Sequence, residues 1–513
     1  MPARRVRQGR KKWPVQEFGF YPRLFPFTTG SIPIHAQRRG WVTKDIIERL
    51  VAIIGATHVA TGDAATRWSR DWLGQRQWQP LAVARPHTRD EVALIVRLAN
   101  ETRTPIVPVG GHTGLVGGTY AEGAVMLSLD RMSSIREIRP DARIAIVEAG
   151  VVLSALHDAA EAHDLIFPLF FGARGSAMIG GCLSTNAGGS NVLRHGNSRD
   201  LCLGLEVVLP TGEVMNLMSE LHKNNAGYDL RHLMIGAEGT LGVITAAVLK
   251  LKPKPLAYAT AMVAVPGVGD ALTLLNRLQR ETAGAVEAFE YMPGSYINAY
   301  LRRFPAARAP FDTPREVNIL VEVGATAPRD AEPDASGEIP VIALLESVLG
   351  TMFEAGDVLD AVVARSDAQR QEMWARREAA AEVSRLHETC IDNDIAVGLD
   401  KVELLIDNIR ARALDLDPGL HNISVAHLGD GNLHFAGWPS TEDIEVHAAI
   451  KRAVEEETAA LGGSFSAEHG IGLDKQGAMT RHKDAAALAA MRTIKAALDP
   501  HNIMNPGKIL PKP

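Results

Sequence analysis

The chain has 513 residues but only three cysteines, Cys182, Cys202 and Cys390, and no CxxC pair. That scarcity excludes a disulfide scaffold, a structural zinc finger and an iron–sulfur module, and it fits a reducing compartment. No run of about 18 or more apolar residues occurs, so no membrane-spanning helix is expected. No apolar stretch of secretory type opens the chain either. Hydrophobic residues make up 46% and charged residues 22%. These are close to globular averages, which excludes extended disorder and a fibrous repeat. The length leaves room for more than one core, since single cores rarely grow past about 250–300 residues.

Charge is uneven along the chain. Residues 1–40 carry nine basic groups and one acid, Glu17, so with a net charge of −6 the remainder carries −14. Such a basic tail suits a nucleic-acid arm or a transit peptide. An acidic body argues against nucleic acid as the partner. The stretch 1–41 is irregular and rich in Pro and aromatics. It reads as a disordered tail, or as sequence upstream of a true start at Val42, with a targeting segment and a functional arm as alternatives. Val42-Thr43-Lys44 then opens an amphipathic helix with Ile46, Ile47, Leu50, Val51 and Ile54 on one face.

From Pro80 to Pro255 short strands and helices alternate with glycine-dense connections. Thr88 to Glu91 has capping-box spacing. Ile106–Pro108, Val125–Leu127 and Ile144–Val147 read as strands, and Leu205–Leu209, Pro-Thr-Gly, Glu213-Val214 as a hairpin. Pro253-Lys254-Pro255 marks a boundary. Beyond it lie strands over 259–265 and 317–323, and helices over 270–281, 341–349, 446–461 and 484–498. Residues 325–339 read as a surface loop. The pattern is α+β, with domains expected at 42–255 and 256–513.

Three glycine clusters stand out, the first after a strand. Pro108-Val-Gly110-Gly111-His112-Thr113-Gly114-Leu-Val-Gly117-Gly118 holds five glycines in nine residues. Such a turn lets backbone approach a ligand and lines up N–H groups as an anion cradle. The second cluster contains Gly172, Ser176, Gly180, Gly181, Asn186, Gly188 and Gly189. The third runs Ile235-Gly-Ala-Glu-Gly239-Thr-Leu-Gly-Val-Ile244-Thr245. Neither G-x-G-x-x-G nor a P-loop occurs, so a Rossmann turn is not expected. Three separate clusters suit a long ligand buried along its length, such as a flavin dinucleotide.

In this order, PVGGHTGLVGG, FGARGSAMIGGCLSTNAGGSNVLRHG, LGLEVVLPTGEV and IGAEGTLGVIT resemble the vanillyl-alcohol oxidase superfamily of FAD enzymes. HLGDGNLHF, SAEHGIG and LDPHNIMNPGKIL near the C-terminus resemble its D-2-hydroxy-acid dehydrogenase branch, which includes FAD-linked D-lactate, glycolate and D-2-hydroxyglutarate dehydrogenases. The resemblance implies a two-subdomain FAD-binding domain of p-cresol methylhydroxylase type. It also implies a substrate domain with an antiparallel sheet and flanking helices, whose last ~30 residues, including Asn505, return to the FAD module.

His427 and His434 flank Gly429-Asp430-Gly431-Asn432, which disfavours a helix and favours strand–turn–strand. Glu468-His469 follows. Two His and one carboxylate form a divalent-metal site of the Zn or Mn/Fe type, or else structural groups around a hairpin. The resemblance implies metal ligation at His427, His434 and Glu468, with His469 as the base. Trp374-Ala-Arg376-Arg377-Glu378 resembles the family's W-x-x-R-E, whose arginine binds the substrate carboxylate. Arg377 is the matching position, and a guanidinium fork suits that task. The expected substrate is a small 2-hydroxy acid. The expected electron acceptor is a quinone, a cytochrome or an electron-transfer flavoprotein, and a homodimer is compatible. The expected location is the cytoplasm, with a peripheral place at the inner membrane as the alternative.

Three positions depart from the D-2-hydroxyglutarate pattern: Ala381 in place of a threonine, Asp392 near where a lysine would bind substrate, and Ala436 in place of an asparagine. They remove contacts for a second carboxylate and add a like charge. His112 stands where glycine or asparagine is usual. In covalent flavin oxidases of the superfamily a histidine after Gly-Gly bonds the flavin methyl. An FAD oxidase of another alcohol, using oxygen and a covalent flavin, is therefore the alternative function.

Overall fold

The computed structural model describes residues 35–512, with side chains from Lys44 onward. Residues 1–34 of the basic tail lie outside the described residues. The first helix is His35–Ile54, so it begins seven residues before the expected start at Val42. Nothing between His35 and Trp41 breaks a helix except the weak helix former Gly40. Ile46, Leu50 and Ile54 are buried, as the amphipathic pattern requires.

Asp45–Pro513 is one compact unit with mixed helix and sheet. Its N-terminal part holds two small sheets. In the first, β1 (Val59–Ala60), β2 (Ala82–Ala84), β3 (Ile106–Val109) and β4 (Val125–Ser128) lie in the order β1-β2-β4-β3, and β4 runs parallel to both β2 and β3. The helix Arg89–Thr102 makes the crossover. It opens on a full capping box, in which the Glu91 N–H donates to Thr88 Oγ1 at 3.2 Å. In the second sheet, β5 (Ile135–Arg139), β6 (Ile144–Glu148), β8 (Cys202–Val208), β9 (Val214–Leu217) and β10 (Val243–Lys250) are antiparallel, in the order β5-β6-β10-β8-β9. The expected hairpin is β8–β9. Between these elements β7 (Leu165–Ile166) pairs with β11 (Lys252–Pro253).

After Pro255 a single antiparallel sheet of eight strands takes over. It comprises β12 (Ala257–Val265), β13 (Val286–Pro293), β14 (Val317–Ala325), β15 (Asp360–Val363), β16 (Ile391–Ala396), β17 (His421–Asn422), β18 (Val425–His427) and β19 (Asn432–Trp438). The order is β15-β12-β14-β13-β18-β19-β16, with β17 on β19. Helices Val268–Glu281, Pro340–Ala355, Val402–Leu416 and Ile444–Ala460 cover one face and supply its apolar core. The expected loop over 325–339 contains one short helix, Pro328–Ala331.

The C-terminal segment returns to the first sheet. Ile106 donates its N–H to Ile503 O and accepts from the Asn505 N–H, both at 2.7 Å, and Ile503 and Met504 join the N-terminal core. Asp499, 1% exposed, fixes this return. Its carboxylate accepts the N–H groups of Ile503 and Met504 at 3.0 and 2.8 Å and binds Lys495 Nζ at 2.5 Å. Replacing Asp499 by Ala strands a buried ammonium, so stability should fall by about 3–5 kcal/mol. The urea unfolding midpoint checks this. Adding Lys495→Met should recover part of the loss, and an unchanged midpoint for Asp499→Ala would refute the assignment.

Candidate functional site

Between the glycine-rich loops and the open face of the large sheet lies a cavity of about 1680 Å³. That exceeds the ~300–1,000 Å³ of usual small-molecule sites and leaves room for a dinucleotide together with a substrate. Pro108, Gly110, Gly111, His112, Thr113, Gly114 and Gly118 line it after β3. Gly172, Gly180, Gly181, Gly188, Gly239, Ile244 and Asn505 line it from the other loops.

These glycines serve two purposes. A Cβ on Gly111 would sit 2.0 Å from Ser176 O, and one on Gly180 2.7 Å from Ala149 Cβ. There the absent side chain lets two backbones touch. A Cβ on Gly114, Gly172 or Gly181 meets no protein atom within 4 Å. There the absent side chain leaves cavity free for a ligand. Asn505 Oδ1 and His112 Nδ1 are buried at the cavity without hydrogen-bond partners. Open glycine walls and unsatisfied polar atoms together fit a long polar cofactor.

Four expected cradle residues do not line the cavity. Gly117 turns with φ +69° beside Arg76. Ser176 presents its carbonyl to Gly111. Asn186, at φ +52°, ends the helix Ile179–Thr185 and accepts the Arg199 N–H at 2.9 Å. A Cβ on Gly189 would lie 2.1 Å from Phe170 O. These four shape the loops around the cavity.

At the sheet side, β18 and β19 form the hairpin that the glycines of 427–434 foretell. It sets the His427 and His434 rings 5.2 Å apart. Glu468 closes the group, 4.0 Å from His427 Nε2 and 3.9 Å from His434 Nε2. The donor atoms of the three lie within 4.8 Å of one another. Burial lifts the Glu468 carboxyl to about 7, and burial next to His427 holds His434 well below the usual imidazole value. Two imidazoles and a carboxylate packed together at this cost fit a divalent cation of the Zn, Mn or Fe type.

Asp394, His434 and His469 make a second such group. However, Asp394 Oδ2 already accepts the N–H groups of Glu468 and His469, both at 2.9 Å, and Oδ1 accepts Asn432 Nδ2 at 3.0 Å. Asp394 is therefore an outer support, 3.8 Å from His434 Nδ1 and 3.7 Å from His469 Nδ1. Burial works against its charge, yet His469, Lys475 and His434 hold it far below the usual carboxylate range. Burial lowers His469.

Arg377, on the helix Asp367–Glu378, is buried beside His427. Its Nε pairs with Glu290 at 2.8 Å, and Glu290 also meets His427 Nδ1 at 2.8 Å. Burial opposes the Glu290 charge, but His427 and Arg377 bring its carboxyl below the ordinary range. Glu290 thus orients a candidate metal ligand and the candidate carboxylate binder at once. Glu238, Glu290, Asp394 and Lys475 are absent from the sequence expectations. The one signal for Asp394 is its place beside the apolar Ile395 in a strand whose other acid, Asp392, is exposed. The signal for Glu238 is a lone charge inside a glycine run. His112 Nε2 donates to Arg70 O at 2.6 Å, and burial lowers its pKa.

Comparisons with known proteins agree with this architecture. Residues 80–218 match the family model of an FAD binding domain, and residues 254–509 that of the C-terminal domain of FAD linked oxidases. D-2-hydroxyglutarate dehydrogenase of Xanthomonas citri pv. viticola is 36% identical over 86% of this chain and 92% of its own length. The mitochondrial D-2-hydroxyglutarate dehydrogenase of Bos taurus is 34% identical over 94% and 87%. Among solved structures, p-cresol methylhydroxylase with substrate bound superposes with a TM-score of 0.70 at 16% identity, covering 91% of this chain and 96% of that one. The cavity, its glycine cradle and these matches converge: the chain shares the fold of p-cresol methylhydroxylase and belongs to the FAD-linked oxidase family that includes the D-2-hydroxyglutarate dehydrogenases, as an FAD-dependent oxidoreductase acting on a 2-hydroxy acid.

Proposed function

We propose that the protein oxidises a monocarboxylic D-2-hydroxy acid to its 2-oxo acid, with a divalent cation held by His427, His434 and Glu468. The observation that carries this reading is the convergence of those three residues with His469 and Arg377 on the FAD-binding cavity. When bound, FAD in the glycine cradle would supply the hydride acceptor for Cα, and the cation would supply Lewis acidity at the substrate hydroxyl. Arg377 binds the substrate carboxylate with the part of its fork that Glu290 leaves free. His469 takes the hydroxyl proton at Nε2, because Nδ1 faces Asp394. Residues 42–255 act as the FAD-binding domain and 256–513 as the substrate domain, a division supported by the two family matches. The electrons pass on to a quinone, a cytochrome or an electron-transfer flavoprotein. The location proposed is the cytoplasm, with a peripheral place at the inner membrane as the alternative.

The relatives' names favour D-2-hydroxyglutarate, but three side chains at the cavity oppose a second carboxylate. Asp392 pairs with Ala436 across β16 and β19, on the same face as the Asp394–His434 pair. Ala381, Asp392 and Ala436 all line the cavity. The carboxylate of Asp392 has Lys451 at 3.6 Å, so a lysine lies nearby but is already engaged. One observation favours the oxidase with covalent flavin as a second reading: the unpartnered, buried His112 Nδ1 in the cradle.

The purified protein should be yellow, and acid denaturation should release FAD from the chain. Colour that stays with the polypeptide would support the second reading. Gly114→Trp has room to fold, since a Cβ there meets nothing within 4 Å, but its indole should fill the cradle. Flavin absorbance should vanish while the unfolding midpoint stays close to that of FAD-free wild type.

In a substrate screen with a dye acceptor, kcat/KM should be higher for monocarboxylic D-2-hydroxy acids than for D-2-hydroxyglutarate. Asp392→Lys should shift the ratio toward the dicarboxylate. Wild-type preference for D-2-hydroxyglutarate over every monocarboxylate would refute the specificity assignment.

The metal ligands and the base should fail differently. His434→Ala should lose metal by elemental analysis, and activity with it. His469→Ala should keep metal and flavin yet reduce flavin about 10²–10⁴-fold more slowly in single turnover. Should His469→Ala lose the metal as fully as His434→Ala, His469 is a ligand and not the base.

A further inference from the structure

The loop 466–472 carries both Glu468 and His469, and two carboxylates hold it, the buried Asp394 and the half-buried Glu238. Asp394 of β16 takes its first half. Glu238 takes the second: Oε1 accepts the Ile471 N–H at 2.7 Å and Oε2 the Gly472 N–H at 2.8 Å. Glu238 comes from the glycine loop before β10, some 233 residues earlier in the chain. Its backbone stands at φ +49°, a left-handed conformation that few residues other than glycine, asparagine and aspartate adopt.

Glu238 also lies at the junction with the flavin cradle. Its carbonyl accepts Asn505 Nδ2 at 2.8 Å, and the same amide donates to Gly118 O at 3.0 Å. Gly118, Gly239 and Asn505 all line the cavity. The glycines of the catalytic loop are shaped to this seat. A Cβ on Gly470 would fall 2.7 Å from Glu238 Oε1, and one on Gly472 2.1 Å from Val116 O. Val116 O in turn accepts the Leu473 N–H at 2.9 Å. Arg377 has a separate support in Glu290 on the sheet.

We propose that Glu238 is a positioning residue for the oxidation: it fixes the loop bearing Glu468 and His469 at a set place relative to the flavin cradle. The inference rests on the metal-and-base reading above. With both carboxylate oxygens spent on amides, Glu238 acts through the loop. Its removal should therefore affect the metal and the base together and leave the Arg377 site alone.

The test uses full-length, FAD-loaded protein as wild type, Glu238→Ala and Glu238→Gln. Single-turnover flavin reduction by D-lactate gives a limiting rate and a half-saturating concentration. Competition with a chromophoric chelator gives zinc affinity. In Glu238→Ala the limiting rate and the zinc affinity should both fall about 10–100-fold, with the half-saturating concentration near that of wild type. Glu238→Gln keeps one acceptor and should recover part of both; it also carries the test if the alanine variant does not fold. Wild-type rate and zinc affinity in both variants would overturn the proposal, as would a loss confined to the half-saturating concentration. Failure of the underlying reading looks different: the wild type itself would then take up no zinc, and the inference would fall with it.

Discussion

The site hangs on a buried carboxylate, Asp394, both of whose oxygens accept donors from the protein itself. Two consecutive amides, those of Glu468 and His469, point at one of its oxygens. Asn432 donates to the other, and Lys475 stands 3.4 Å away. An uncompensated carboxylate at this depth would cost several kcal/mol, so the surrounding donors are obligatory. Their arrangement makes a candidate ligand and a candidate base neighbours in sequence and in space. The register of β16 against β19 puts Asp394 opposite His434, which brings the second imidazole to the same point. Sheet pairing thus decides where the chemistry can occur.

The same device recurs along the large sheet. Glu290 holds Arg377 and His427, Glu322 holds Arg370 and the Trp374 indole N–H, and Glu287 holds Arg194 and His195. Arg194 and His195 belong to the glycine-loop side of the cavity, so the Glu287 pairs cross from one half of the molecule to the other. Buried ion pairs contribute little net stability, but they penalise misplacement strongly. Such pairs suit a cavity whose two walls must hold a cofactor and a substrate in fixed relation.

Much of this was legible in the sequence, and for identifiable reasons. The glycine clusters reveal the cradle because backbone contact demands glycine locally, at Gly111 and Gly180 for example. The run from His427 to His434 reveals its hairpin because Gly429 and Gly431 exclude a helix. Asp394, Glu238 and Glu290 stayed hidden because their partners lie 38 to 234 residues away, at separations that no local pattern encodes. Asn186 also ends a helix and Gly189 sits at a tight backbone crossing, and both tasks use the same residue types as a cradle. The helix beginning at His35 was missed because the basic, aromatic tail around it carries no apolar periodicity.

The central question is whether oxidation of the 2-hydroxy acid requires the cation. The direct measurement is anaerobic mixing of D-lactate with FAD-loaded protein stripped of metal by a chelator. The flavin band should persist in the stripped protein and bleach once Zn²⁺ or Mn²⁺ is restored. Full-rate bleaching in protein shown by elemental analysis to be metal-free would contradict that requirement, and would leave His427, His434 and Glu468 as structural groups around a hairpin.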